Sequence, residues 1–206
     1  MKVLLTSFDP FGAEPQNSSL ELLRRLPDRL ENILLVKEVL PTQFVEAPRR
    51  LQELLKDVEP DILLLLGQAG GRKQVHFERV AINCMSARIP DNAGYAPQEL
   101  PILPDGPAAY FTNIPLAPLV HHLQDQWLPV AISNTAGTFV CNCLFYHAMH
   151  QLEAAPFSCQ CDFVHIPYLT GQACVPAGMP TLSPESCLSA LKQAILFLAK
   201  QNVLYD

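Results

Sequence analysis

Glycine is scarce in this chain, nine residues against nineteen prolines, and no stretch is repetitive or rich in Ser and Gly. Flexible linkers and repeat arrays are thereby excluded, and rigid, ordered loops are expected. Charge is also thin, at 17% of residues with a formal net of -6. The fourteen Lys and Arg are scattered apart from doublets such as Arg24-Arg25 and Arg49-Arg50, so no basic run tracks phosphates and no nucleic-acid partner is expected. No apolar run reaches the roughly 20 residues of a membrane span. The longest, "CLSALKQAILFLAK", is broken by Lys192 and Gln193, so no membrane association is expected. The opening "MKVLLTSFDPFG" reaches Asp9 before any small-residue cleavage site, so it reads as a first strand rather than an export signal, and a cytoplasmic location is expected. Seven cysteines, an odd number in such a compartment, argue for reduced thiols over a disulfide framework.

What is present is core. Hydrophobic residues make up 49% of the 206, enough for one sizeable domain, expected over 1–206. Short β-rich runs at 3–8, 33–40, 61–67, 79–83, 130–135 and 163–168 alternate with amphipathic segments near 18–26, 43–58, 116–126 and 138–153. This alternation predicts an α/β fold, a twisted and mostly parallel sheet with helices on both faces, and "ILLLL" is the run expected of a strand buried on both sides. A last helix is marked by Ser183 as cap, Pro184 at its first position and Leu188, Leu191, Ile195 and Leu198 at helical spacing. Pro48 must fall in the first turn of the 43–58 helix or kink it.

In open α/β sheets ligands gather at the carboxyl ends of strands. Four segments are expected to converge there: "SFDPFG", "GQAGGR", "NTAGTFVC" and "HIPY". For each, plain turn chemistry is the competing explanation. "GQAGGR" lacks the Lys and hydroxyl of a phosphate loop, and no G-x-G-x-x-G follows the first strand, which argues against nucleotide binding.

"TAGTFVCNC" reads as a nucleophile site. With Thr138 as N-cap and Gly137 permitting the turn, Cys141 falls about three positions into a helix. There, free N–H groups and the dipole favour a thiolate that is nucleophilic at neutral pH. The same N–H groups could receive an oxyanion, worth about 3 kcal/mol per donor. Cys143 points elsewhere and reads as core. A metal reading must be weighed, because Cys141, Cys143, Cys159 and Cys161 form two C-x-C pairs near His147 and His150. Residues i and i+2 of a helix diverge by about 200°, which suits a shared ion poorly, so no metal is expected. The base is less well marked. His165, near a strand end, is one candidate among six histidines; His121 and His122 sit on a polar helix face, and His76 reads as an exposed loop residue. Glu78 could orient the base.

Several segments together resemble the pyrrolidone-carboxyl peptidase family, cysteine peptidases that remove an N-terminal pyroglutamyl residue: "TSFDPFG" (6–12), "LGQAGGR" (66–72), "ERVAIN" (78–83), "ARIPDN" (87–92), "GPAAYFT" (106–112), "TAGTFVCN" (135–142) and "HIPY" (165–168). The resemblance implies a Cys141–His165–Glu78 triad working through a thioester without a cofactor, with Arg88 assisting the Cys141 N–H at the oxyanion. It implies a pyroglutamyl pocket of Phe8 and Phe11, with Asn17 and Gln68 nearby and Phe139 and Val140 lining it. Peptides with N-terminal pyroglutamate are then the partners, and a homo-oligomer, a tetramer by family analogy, is expected. The chain departs from the pattern at Asn134, at Cys143 and in the 171–182 loop. The alternative reading is a metal- or nucleoside-binding α/β module in which Cys141 is structural.

Overall fold

Apolar runs with no polar face become the innermost strands, and the computed structural model builds them into a mixed sheet. It describes residues 1–202; residues 203–206, the end of the 1–206 span expected to form one domain, lie outside the described residues. The first half comprises β1 (Lys2–Phe8), α1 (Ser18–Arg25), β2 (Arg29–Leu30), β3 (Ile33–Leu40), α2 (Glu46–Val58), β4 (Ile62–Gln68), β5 (Val75–Glu78) and β6 (Val80–Ile82). The second comprises β7 (Ala109–Phe111), α3 (Leu116–Gln124), β8 (Val130–Ser133), α4 (Val140–Glu153), β9 (Gln160–Ile166), β10 (Tyr168–Leu169), β11 (Thr181–Leu182) and α5 (Pro184–Asn202). Seven strands pair in the order β2-β3-β1-β4-β9-β5-β8, while β6/β7 and β10/β11 form separate two-stranded ladders.

The expected α/β class holds. Helices α1, α3 and α5 cover one face, with Leu22, Leu119 and Leu191 packed on Val3, Leu5, Leu64 and Val164. Helices α2 and α4 cover the other, with Leu51, Leu144 and Phe145 packed on Leu4, Leu63, Leu65 and Phe163. Each fully buried Leu of β4 contributes roughly 1.5–3 kcal/mol of apolar burial. Pro48 sits in the first turn of α2, where its missing N–H costs nothing, so the helix is not broken. Ser183 caps α5 as expected, its Oγ accepting from the Ser186 N–H at 3.1 Å. Among the described residues no helix is long and apolar enough to cross a membrane.

Two strand expectations need correction. The expected 79–83 strand is β6 alone, outside the seven-stranded sheet, and an unexpected strand precedes it: β5 is a core strand that places His76 half-buried in the sheet rather than in an exposed loop. Its four residues alternate Val and Phe with His and Glu, too short and too polar to register as an apolar run. The second correction concerns direction. Strands β1, β3, β4 and β9 run parallel, but β5 is antiparallel to β9 and carries β8 parallel to itself. "SFDPFG", "GQAGGR" and "HIPY" do follow strands that end at one edge, whereas the strand before "TAGTFVC" points the opposite way. The chain from Thr135 to Phe139 must therefore turn back toward that edge before α4 begins.

Candidate active site

Helix α4 meets the sheet over Gly67. A Cβ at Gly67 would stand 2.7 Å from the Phe163 ring and 3.0 Å from Cys141 Sγ. Only glycine leaves room there for the thiol. Gly67 pairs in register with His165 on β9, so thiol and imidazole share one patch of the α4 face of the sheet. The His165 Nδ1–H donates to Glu78 Oε1 at 2.7 Å, both residues being buried. The carboxylate sets the tautomer, leaving Nε2 as the free base position. The structure thus brings Cys141, His165 and Glu78 from α4, β9 and β5 into one cluster.

The start of α4 differs from the sequence expectation. Phe139 is the N-cap residue and provides no side-chain cap. Thr138, expected to cap, instead donates its hydroxyl to the Ser86 carbonyl at 2.8 Å, while Ser86 N–H donates to Thr138 O at 2.9 Å. Cys141 is then the second helical residue, and the N–H groups of residues 140–142 find no acceptor in another residue among the described residues. Asn142 anchors this turn: its Oδ1 accepts from Ile82 N–H at 2.9 Å, and its amide donates to Ile82 O at 2.9 Å and Cys84 O at 3.1 Å. Asn142→Ala leaves the Ile82 N–H and the Cys84 carbonyl without their partner, while Ile82 O keeps the Cys84 N–H at 2.8 Å, and is expected to cost about 1–2 kcal/mol, read as a lower denaturation midpoint. An unchanged midpoint would mean that water replaces the amide there.

Electrostatics correct a further expectation. Burial pushes the Cys141 thiol up to about 12, and the Glu78 charge adds to the rise, while Arg72 and the residue's own N–H oppose it. Desolvation outweighs the helix dipole, so the resting group is a neutral thiol rather than a thiolate. Burial also lowers His165 below its ordinary value; the hydrogen bond and charge of Glu78 push back, and Arg72 reinforces the drop. The imidazole is neutral and able to accept a proton. Cys143 is a core residue as expected, its Sγ lying 3.6 Å from the Phe44 carbonyl, and Cys159 and Cys161 are buried as well. No three His, Cys, Asp or Glu side chains converge as metal ligands would among the described residues.

Around the thiol the expected pocket residues divide. Phe11 and Phe139 are partly exposed with ring centroids 6.0 Å apart, and Phe44 meets Phe139 edge-on at 5.2 Å. Phe8 and Val140 have their side chains in the core, Phe8 packing on Phe163 at 6.5 Å. Asn17 is occupied in capping α1, its Oδ1 accepting from Ser19 N–H and Oγ–H and its amide donating to Asp9 O. Gln68 is similarly engaged: its Oε1 accepts from Ser18 N–H and Gln172 Nε2, both at 2.7 Å, and its amide donates to Glu14. Arg88 is exposed, with no hydrogen bond or ion pair among the described residues. Its loop is nonetheless held beside the site, by Ser86 on Thr138 and by Asn92 donating to Pro10 O at 2.9 Å.

Sequence reasoning missed Arg72, Glu14, Tyr168 and Gln172. Arg72 pairs with Glu78 Oε1 at 3.0 Å and donates to Thr135 O at 3.2 Å. It ends the quoted "GQAGGR", so the motif was visible, but its target is visible only once β5 is recognised. Tyr168 O–H donates to Glu14 at 2.7 Å, joining the "FDPFG" loop to the end of β9.

Gly67 gives a direct test of this geometry. Gly67→Ala must displace the thiol or the Phe163 ring, with an expected loss of about 10²-fold in turnover and roughly 1–3 kcal/mol in stability. Steady-state rates and thermal unfolding measure both. A variant with the native rate would show that the thiol need not sit against β4.

Comparison with known proteins places these observations. The family model described as "Pyroglutamyl peptidase" matches residues 1–201. Pyrrolidone-carboxylate peptidase 1 of Caldanaerobacter subterraneus subsp. tengcongensis is 42% identical over 200 residues, covering 97% of this chain and 98% of the relative. The crystal structure of Bacillus amyloliquefaciens pyroglutamyl peptidase I superposes with a TM-score of 0.91 at 44% identity, covering 97% of each chain. The pyrrolidone carboxyl peptidase of Pyrococcus furiosus superposes with a TM-score of 0.92 at 33% identity, covering 98% of this chain and 99% of that one.

Proposed function

The chain belongs to the pyroglutamyl peptidase family, and from that premise we propose that it is a cysteine-type peptidase that removes an N-terminal pyroglutamyl residue from peptides. The observation that carries the reading is the thiol of Cys141 seated against Gly67, the register partner of a histidine whose other ring nitrogen is held by Glu78.

In this mechanism the neutral thiol and neutral imidazole are the resting pair. As Cys141 Sγ attacks the carbonyl joining pyroglutamate to the next residue, its proton passes to His165. Glu78 stabilises the imidazolium that forms. The unpartnered N–H groups at the start of α4, the Cys141 amide among them, receive the oxyanion, and Arg88 swings in from its loop to assist. The tetrahedral intermediate expels the amine, which takes the proton back from His165, and leaves a thioester. Water then adds with His165 as base, releasing pyroglutamate and the thiol.

Pyroglutamate is a neutral lactam with an apolar ring, and the Phe11 and Phe139 faces provide the slot for that ring, with Phe8 and Val140 as its buried backing. Gln68 and Asn17 shape the slot through the loops they tie together, since their polar groups are engaged within the protein. The whole 1–206 span acts as one domain, in a homo-oligomer, a tetramer by family analogy, in the cytoplasm.

The test is release of a fluorophore from a pyroglutamyl amide under reducing conditions, with the prolyl amide as control. A site built around the lactam is expected to favour the pyroglutamyl amide by as much as about 10⁴-fold in kcat/KM. Equal cleavage of the two, or cleavage of neither, would remove the proposal.

A further inference from the structure

Glu78 is fully buried, and its Oε1 serves two donors while Oε2 has no partner. A carboxylate so placed needs a formal positive charge beside it to offset its desolvation. The neutral His165 cannot supply that charge. Arg72 can: its Nη2 lies 3.0 Å from Oε1, and its side chain is only 22% exposed.

We infer that Arg72 is a positioning residue of this site, the counter-ion that holds the Glu78 carboxylate aimed at His165 while tethering both to the loop that leads into Cys141. The inference rests on the peptidase reading of Cys141, His165 and Glu78. The tether is geometric: one guanidinium nitrogen reaches both the Glu78 carboxylate and the Thr135 carbonyl, joining the loop after β4, strand β5 and the segment that turns back from β8. The charge argument follows from attack itself. When Cys141 gives its proton to His165, the imidazolium needs an anion held at Nδ1, and Arg72 fixes the Glu78 carboxylate in that place. The titratable and charged groups facing this carboxylate are Arg72 from the loop, His76 from β5, His165 and Asp162 from β9, and Cys141 from α4. Arg72 is the permanent cation among them. The charge of Arg72 acts against the protonated forms of His76 and His165 and against the neutral form of the Cys141 thiol.

The sign of the expected effect follows. Removing a positive charge that lowers His165 raises the proton affinity of that ring, so the acid limb of activity must move to higher pH. Arg72→Gln and Arg72→Lys are assayed on the pyroglutamyl amide across pH 5 to 9. Arg72→Gln is expected to lose about 10- to 100-fold in kcat with KM within roughly twofold of wild type, the scale of groups that orient a reacting group. Its acid limb moves up by about 1 pH unit. Arg72→Lys, which keeps the charge but not the fork, recovers part of kcat and the original acid limb. Wild-type kcat and acid limb in Arg72→Gln overturn the inference. If Arg72→Gln does not fold, the Lys variant decides: several-fold loss of kcat at unchanged KM supports the tether, and full wild-type kcat overturns it. A wild type that cleaves no pyroglutamyl amide is a failure of the peptidase reading instead. The Arg72 inference is then judged by NMR titration of the His165 ring without substrate. Protonation of the ring at higher pH in the variant supports it, and identical titrations in wild type and variant overturn it.

Discussion

Cys141→Ala is expected to abolish pyroglutamyl amide cleavage, a fall on the order of 10⁶-fold in kcat if this nucleophile is worth what others are. The thiol lies 3.0 Å from where a Gly67 side chain would begin, beside His165 and under the free N–H groups of α4, and no other cysteine shares that position. The neighbouring thiol provides the control. Cys143 is buried against Phe44 and Met85 on another side of the helix, so Cys143→Ala should cost about 1 kcal/mol of packing and leave kcat within roughly twofold. Parallel steady-state assays of the two variants, with thermal unfolding of each, separate chemistry from stability. Retained activity in Cys141→Ala, or loss confined to Cys143→Ala, would move the nucleophile elsewhere.

Glu78→Gln is the second large effect, expected to reduce kcat by about 10⁴-fold with little change in KM. The amide keeps the shape of the carboxylate but carries no charge for an imidazolium, and it can donate to Nδ1, turning the ring to the wrong tautomer. It also leaves the Arg72 guanidinium, mostly buried, without its anion, so a loss of roughly 3 kcal/mol in stability should accompany the kinetic effect. Glu78→Asp retains the charge on a shorter arm and should recover part of kcat. A Gln variant with the native rate, its fold confirmed by unfolding, would show that His165 needs no anion behind it.

Much of this architecture is readable in the chain. The β4 run declares a strand buried on both faces, Ser183 and Pro184 declare the start of α5, and Gly137 before a polar-to-apolar switch marks the turn into α4. What eludes sequence reasoning depends on pairing between distant segments. Strand β5 is four residues long with His76 and Glu78 inside it, and only its neighbours β9 and β8 make it a strand. Its reversed direction carries no local signature, so three of the four expected strand ends share one edge. Thr138 has the residue type of a cap, yet a carbonyl 52 positions away takes its hydroxyl. A helix dipole that favours a thiolate at Cys141 is legible in sequence, whereas the degree of burial that overrides it is a tertiary property. Gln68 and Asn17 show the same limit: their positions in the motifs are visible, but not the partners that occupy their amides.

The neutral resting state of Cys141 also bears on durability. Peroxide and similar oxidants attack thiolates, and a sulfenic acid is the first rung of damage that ends in irreversible sulfinic and sulfonic forms. Under the proposed mechanism the thiol remains protonated until substrate and imidazole draw the proton away, and so presents little sulfur anion to such reagents between turnovers. The exposed Cys174, on the 171–182 loop, then becomes the more accessible site of first oxidation. Aerobic ageing would therefore mark the loop before it silences the enzyme.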